Sequence, residues 1–151
     1  MKIIILDTNI VFSAILNPKS NIGEIIFNNN EQLEFFSTEY LRQEIDRHRD
    51  KILKLAKTSE EDVDEVIFQI YKKIDFISDI QIPMRIWAES ASLVRDVDID
   101  DLPFVAVTKY LDGVLWTGDL KLLRTLLSKG FLNCITTDEL MEWIEKREIE
   151  K

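Results

Sequence analysis

The amino-acid sequence predicts a single α/β domain in which helices cover both faces of a parallel sheet. Short runs of apolar and β-branched residues alternate with longer segments in which apolar residues recur at helical spacing. The 151 residues contain only four glycines and three prolines, and we find no repeat, linker or low-complexity tract. We therefore expect one ordered domain over residues 1–151.

Four short apolar runs are predicted strands. The first is KIIIL at residues 2–6, which Asp7 follows directly, and the others are LEFF (33–36), GVLW (113–116) and NCI (133–135). Runs of this length that are apolar nearly throughout are typical of strands buried on both faces, as in a parallel sheet.

Helical periodicity occupies the segments between these runs. Two apolar stripes are predicted helix faces, the first formed by Leu41, Ile45, Ile52 and Leu55 and the second by Val63, Val66, Ile67, Ile70, Ile74 and Ile77. We expect a further helix over residues 84–95, and Pro18 to end the first helix. The apolar positions of the first helices, such as Phe12, favour core packing, with a partner surface as the alternative.

Start signals support several of these helices. Thr136 and Glu139 match the capping box that precedes a helix, and Ser59 with Asp62 forms a similar pair. The segment DLPFVAVTKYL opens at Asp101 with a proline in the first turn, where proline is tolerated.

Composition restricts the functional classes. The net charge of −9 argues weakly against nucleic-acid binding, although bound cations neutralise clustered acids and binding depends on local potential. The single cysteine, Cys134, cannot form an internal disulfide, which favours a reducing compartment. Since no signal peptide or membrane-spanning run is visible, we expect a cytoplasmic protein without membrane association.

Four carboxylates follow the predicted strands. Asp7 ends the first strand, Asp119 lies just beyond GVLW, Glu44 lies on the helix after LEFF, and Asp101 opens its helix. Because ligands of parallel α/β sheets bind at the carboxyl ends of the strands, we expect these acids to meet there. Two such charges about 4 Å apart repel by roughly 4 kcal/mol at an effective dielectric near 20. The cluster therefore needs protons or a divalent cation, and oxygen-only donors favour Mg²⁺ or Mn²⁺ over zinc.

Each acid also has an ordinary structural interpretation. Asp119, and either Asp100 or Asp101, could cap the helices that follow them, and Asp7 could merely end its strand. Glu44 could form an ion pair four residues along its helix.

Three stretches resemble the acidic motifs of PIN-domain ribonucleases, a family that includes the toxins of prokaryotic toxin–antitoxin pairs. They are IIILDTNIVFSAIL (3–16), STEYLRQEIDRH (37–48) and DIDDLPFVAVTKYLDGVLWTGDLKLL (98–123). The resemblance implies a three-layer α/β/α domain that hydrolyses RNA phosphodiester bonds with Mg²⁺ or Mn²⁺. It also implies frequent homodimers and, for toxins, a tightly bound antitoxin.

The resemblance assigns roles residue by residue. It implies four catalytic, metal-binding acids, namely Asp7, Glu44, Asp101 and Asp119, with Asn9, Asp98 and Thr117 as auxiliary residues. Asp7 and Asp101 would be the inner ligands. Glu39 is the alternative to Glu44, but it lies nearer the strand and off the apolar stripe.

The best basic tract lies on the segment that carries Glu44. Arg47, Arg49 and Lys51 could guide an RNA backbone toward the acids, while a solvated helix face with ion pairs is the alternative. His48 falls on the apolar stripe, so we expect it to pack or to form hydrogen bonds.

The favoured function is therefore a metal-dependent ribonuclease, in the toxin role or outside it. The alternative is a catalytically inactive PIN-type module that binds RNA or serves as a protein scaffold. A haloacid-dehalogenase-type phosphatase fits less well, because it needs aspartate where this chain has Asn9.

Overall fold

A computed structural model describes residues 1–28 and 31–150, and in this part of the chain a parallel five-stranded sheet lies between helical layers. The strands are β1 (Lys2–Leu6), β2 (Leu33–Thr38), β3 (Ile74–Ile77), β4 (Val114–Trp116) and β5 (Cys134–Ile135). Their order is β3-β2-β1-β4-β5, with every pair parallel. The predicted three-layer α/β/α fold is confirmed.

The helices of the described residues follow the strands in alternation. They are α1 (Thr8–Leu16), α2 (Asn21–Asn28), α3 (Tyr40–Arg47), α4 (Arg49–Leu55), α5 (Glu60–Lys72), α6 (Met84–Val94), α7 (Leu102–Leu111), α8 (Leu120–Ser128) and α9 (Thr137–Ile149). Short 3₁₀ turns occupy Asp79–Gln81 and Ile99–Asp101. Within residues 1–28 and 31–150, none of these helices has the length and apolar character needed to cross a bilayer.

The central strand is apolar because neighbours cover it on every side. Ile4, Ile5 and Leu6 are fully buried, and β1 lies between β2 and β4 with Ile5 opposite Leu115. From β1 the chain proceeds outward through β2 and β3, then returns to the other side of β1 as β4. This reversal opens a crevice at the carboxyl ends of β1 and β4, where α/β sheets bind ligands.

The predicted second stripe is wrong at its end, because Ile74 and Ile77 belong to strand β3 and not to a helix. Helix α5 stops at Lys72, and β3 pairs with β2 through Phe35 opposite Ile74. Buried Ile74 is followed by exposed Asp75, as expected for a strand whose side chains alternate between faces.

The predicted first stripe covers two helices rather than one. His48 ends α3 and precedes α4, with φ −99° and ψ 13°. After this break the direction of the stripe changes, so Leu55 is 51% exposed. His48 is also exposed, so of the two roles predicted for it, packing or hydrogen bonding, packing in the core is wrong.

Candidate active site

The cavity at the carboxyl ends of β1 and β4 has a volume of about 310 Å³. It gathers acids from separate segments of the chain, together with a few aromatic and cationic side chains. Its lining residues are Asp7, Thr8, Asn9, Phe12, Glu44, His48, Lys51, Asp98, Asp100, Asp101, Phe104 and Asp119. All four acids that the resemblance singles out therefore line one cavity, and so do the auxiliary residues Asn9 and Asp98.

Asp7 lies on the floor of the cavity, where β1 ends. Its side chain is only 6% exposed, and it accepts a hydrogen bond from the backbone N–H of Ile10 at 2.9 Å. Burial raises the pKa of Asp7 to about 6, a hydrogen bond from Thr117 opposes the rise, and the charges of Asp119 and Glu44 add to it. Asp7 therefore caps α1 and also holds a carboxyl group that is costly to ionise alone.

Asp101 directly precedes α7 without capping it. No side-chain hydrogen bond from Asp101 caps this helix, so the ordinary capping interpretation does not explain the residue. Burial is the main cause that raises its pKa to about 7, and the charges of Asp119 and Asp98 contribute to the same rise. Its carboxyl group is thus available to a ligand that can neutralise it.

Asp119 and Thr117 are fixed by the turn that leaves β4. Asp119 accepts a hydrogen bond from the N–H of Leu122 at 3.1 Å and so caps α8, as its ordinary interpretation requires. The backbone N–H of Asp119 donates to the Thr117 hydroxyl at 3.0 Å. Thr117 is buried and lies behind the lining residues, where it contacts Asp7 and Asp119.

Glu44 is held by a residue that the sequence did not single out. The hydroxyl of Thr8 donates a hydrogen bond to Glu44 Oε1, linking α1 to α3. Glu44 is half-buried, and burial raises its pKa despite this hydrogen bond. Glu39, the alternative acid, instead pairs with Arg42 at 3.3 Å and does not line the cavity.

A second unexpected contact joins α3 to the acidic turn before α7. The Tyr40 hydroxyl donates to Asp100 Oδ1 at 2.8 Å and accepts from Arg47 Nη1 at 3.5 Å. Asp98 accepts from the N–H of Asp100 at 2.9 Å, so its carboxylate supports the turn while lining the cavity.

The three cations of the basic tract have different environments. Arg49 forms ion pairs with Glu60 at 2.9 Å and with Asp64 at 2.7 Å. Its environment therefore matches the alternative interpretation of the basic tract, a helix face with ion pairs. Arg47 contacts Tyr40, whereas Lys51 lines the cavity.

Comparison with known families identifies the family of the chain. A sequence profile described as a PIN domain matches residues 5–147. The chain belongs to the PIN-domain family. No curated protein matches its sequence significantly.

Solved structures show the same PIN-domain fold. The crystal structure of VapBC2 from Rickettsia felis, bound to a DNA fragment from their promoter, aligns with a TM-score of 0.68. The alignment covers 89% of this chain and 98% of that chain at 14% identity. At such low identity the likeness demonstrates a shared fold.

The donor chemistry of this PIN domain suits a hard divalent cation. The cavity offers carboxylate oxygens in excess, and the pKa values of Asp7 and Asp101 are raised partly by neighbouring carboxylates. Within residues 1–28 and 31–150, no three His, Cys or acidic side chains already stand at metal-ligand geometry. Oxygen donors that converge on one cavity are of the type that Mg²⁺ or Mn²⁺ prefers.

Proposed function

We propose that this PIN domain is a metal-dependent ribonuclease that hydrolyses RNA phosphodiester bonds at the acidic cavity. The observation that carries the proposal is the convergence of nearly buried Asp7 and half-buried Asp101 on one acidic cavity, where burial and repulsion from neighbouring acids raise their pKa values to about 6 and about 7. A fold tolerates such repulsion where a function depends on it, because most domains are stable by only about 5–15 kcal/mol.

The carboxylates divide into two roles. Asp7 and Asp101 would be the inner ligands of Mg²⁺ or Mn²⁺, and Asp119 and Glu44 would complete the set. A bound divalent ion supplies an acidified water and neutralises negative charge on the phosphodiester. The protein then has to position the phosphate beside the acids and hold the acids in fixed relative positions.

Hydroxyl groups keep these acids in place. Thr8 orients Glu44 and Thr117 supports Asp7 and Asp119, while Asn9 and Asp98 line the cavity as auxiliary residues. The contacts of Thr8 with Glu44 and of Thr117 with Asp7 join segments that are distant along the chain. The acids therefore hold their relative positions only in the folded domain.

The biological context that we propose is a toxin–antitoxin pair. The shared fold with VapBC2 and the family resemblance support an antitoxin as protein partner and RNA as substrate. A homodimer is a prediction from the same resemblance, and a cytoplasmic location is a prediction from the sequence.

A cleavage assay on a mixed RNA pool tests the enzymatic proposal. We expect cleavage with Mg²⁺ or Mn²⁺, none with chelator, and a loss of more than about a hundredfold in Asp7→Asn, since removal of a second-shell partner alone costs 10–100-fold. The melting temperature of Asp7→Asn should be unchanged or higher, because the substitution relieves a repulsion.

The matched control is Asp75→Asn, which removes an exposed acid on β3 away from the cavity. Cleavage that survives chelation, or that Asp7→Asn retains, would contradict the proposal. RNA binding without any cleavage would favour the alternative, an inactive RNA-binding or scaffold module.

A further inference from the structure

One wall of the cavity is aromatic and cationic rather than acidic. It is formed by Phe12 on α1 and by His48 and Lys51 at the junction of α3 and α4. We propose that this wall is a subsite on which an unpaired nucleobase stacks, beside the phosphate that reaches the acids. The inference rests on the proposed function, because it assumes a nucleic-acid strand in the cavity.

Phe12 is placed by the helix that also positions an acid. Thr8 and Phe12 are four residues apart on α1 and therefore share a face of the helix. Because Thr8 reaches Glu44, the Phe12 ring lies one helical turn from the catalytic set. Phe12 is half-buried, so its ring is anchored by the core and still lines the cavity.

Phe104, the other phenylalanine that lines the cavity, does not present its ring face to a ligand as Phe12 does. Phe104 is buried, and its ring packs against Tyr40 with centroids 6.4 Å apart. Phe12 is therefore the aromatic lining residue best placed to contact a ligand.

Lys51 adds a cation to the same wall. Its Nζ lies 5.6 Å from the centroid of the Phe12 ring, and within residues 1–28 and 31–150 no carboxylate lies within ion-pair distance of it. Arg49, two residues earlier, has two such partners. In a chain of net charge −9, an unpaired lysine beside an acidic cavity is suited to a phosphate group.

An aromatic ring with an adjacent cation is the combination by which proteins hold single strands. The base stacks on the ring while the cation contacts the backbone. A base within a duplex is stacked and paired, so its faces are not available to Phe12. The subsite therefore takes an unpaired nucleotide.

The chain contains a matched control for this pair. Phe68 on α5 is 56% exposed, and Lys72 Nζ lies 5.4 Å from the centroid of its ring. This pair repeats the chemistry of Phe12 and Lys51 but does not line the cavity. Phe12→Leu and Phe68→Leu thus make the same substitution inside and outside the proposed subsite.

Two labelled strands separate base contacts from backbone contacts. One is a single-stranded RNA of about ten nucleotides, and the other has the same backbone charge but abasic sites throughout. Binding is measured by fluorescence anisotropy with Ca²⁺ in place of Mg²⁺, and strand integrity is checked on a denaturing gel. Thermal melting of each variant verifies that it is folded.

We expect Phe12→Leu to weaken binding of the base-containing strand roughly five- to a hundredfold and to leave the abasic strand within about twofold. Phe68→Leu should change neither. Lys51→Gln should weaken both strands equally and reduce the salt dependence by about one phosphate contact. In Phe12→Trp, the fluorescence of the new indole should change when the base-containing strand is added and not with the abasic strand.

Equal losses for both strands in Phe12→Leu, or no loss for either, would overturn the stacking subsite. So would an effect of Phe68→Leu as large as that of Phe12→Leu. These binding results do not depend on turnover. Absence of cleavage in the wild type would therefore refute the nuclease, whereas insensitivity to Phe12 in an active enzyme would refute only the subsite.

Discussion

The two ends of the sheet each carry a cavity, and the acidic cavity is the smaller of the two. The cavity at the carboxyl ends has a volume of about 310 Å³, while the cavity at the amino ends, lined by Lys2, Gln32, Trp143, Arg147 and their neighbours, has about 580 Å³. At the amino ends, charges of both signs meet near the surface: Arg147 lies 3.9 Å from Glu150. Lys2 and Arg147 each lie 5.0 Å from the Trp143 ring.

The carboxyl ends show the opposite arrangement. Asp7 is nearly buried among other acids, and its pKa and that of Asp101 are raised. The volume of an open surface cavity does not lower the stability of the fold. Buried charges of one sign do oppose folding unless a ligand compensates them. Buried charge without a counter-ion therefore distinguishes the end of the sheet for which we propose a function, whereas cavity volume does not.

The largest expected difference between the two ends is in catalysis. Asp101→Asn should lower RNA cleavage by more than about a hundredfold, since it removes one of the two inner ligands that we propose. Glu150→Gln, at the amino ends, should leave the rate within about twofold. Initial rates on one RNA pool at fixed Mg²⁺ measure both, and equal losses in the two variants would remove the distinction between the ends.

The second difference is in stabilisation by metal. A ligand that binds only the folded state at 100 times its dissociation constant adds about 2.7 kcal/mol of stability, which for a domain of this size raises the melting temperature by roughly 5–10 °C. Mg²⁺ should produce such a rise in the wild type and in Glu150→Gln but not in Asp101→Asn. A rise that survives in Asp101→Asn would place the ion elsewhere.

The third difference is in pH dependence without metal. The folded pKa of Asp7, about 6, lies above its ordinary value of 3.8, so the folded state binds a proton that the unfolded chain does not. The free energy of unfolding should therefore rise as the pH falls from about 7.5 to 5, with Asp7 contributing about 1–2 kcal/mol. Asp101, raised to about 7, acts in the same direction.

Denaturant unfolding at several pH values, in chelator, measures this contribution as the difference between wild type and Asp7→Asn. Groups that do not interact with Asp7 cancel in that difference, which therefore contains the titration of Asp7 and the part of the Asp101 shift that Asp7 causes. The Asp75→Asn variant should follow the wild type. A difference curve that is flat, or that slopes the other way, would mean that Asp7 is not held in the strained state inferred from its burial.

Local sequence signals predicted what depends on local structure. The run KIIIL ending at Asp7, the capping box at Thr136 and the alternation of strands with helices were sufficient for the α/β class and for strands β1, β2, β4 and β5. The third strand was missed because Ile74 and Ile77 are three residues apart, a spacing that continues the helical stripe. The break at His48 was missed because neither glycine nor proline marks it.

The supporting contacts of the candidate site depend on tertiary structure, which explains why sequence did not reveal them. Thr8 contacts Glu44 across 36 residues, and Tyr40 contacts Asp100 across 60. Hydroxyl residues have no spacing rule that links them to distant acids. The family resemblance could place the acids in one cavity, but only the folded chain relates them to the groups that orient them.

The smallest expected effect concerns Tyr40, which ties α3 to the turn that carries Asp100 and Asp101. Tyr40→Phe removes a hydrogen bond of 2.8 Å, worth about 0.5–1.5 kcal/mol, and loosens the position of Asp101 relative to Glu44. The Mg²⁺ concentration for half-maximal cleavage should rise about two- to tenfold, with a smaller change in KM for RNA. Tyr71→Phe is the control, because the buried Tyr71 hydroxyl has no hydrogen-bond partner in the described part of the chain. If both substitutions shift the Mg²⁺ dependence equally, the Tyr40 contact does not position the acids.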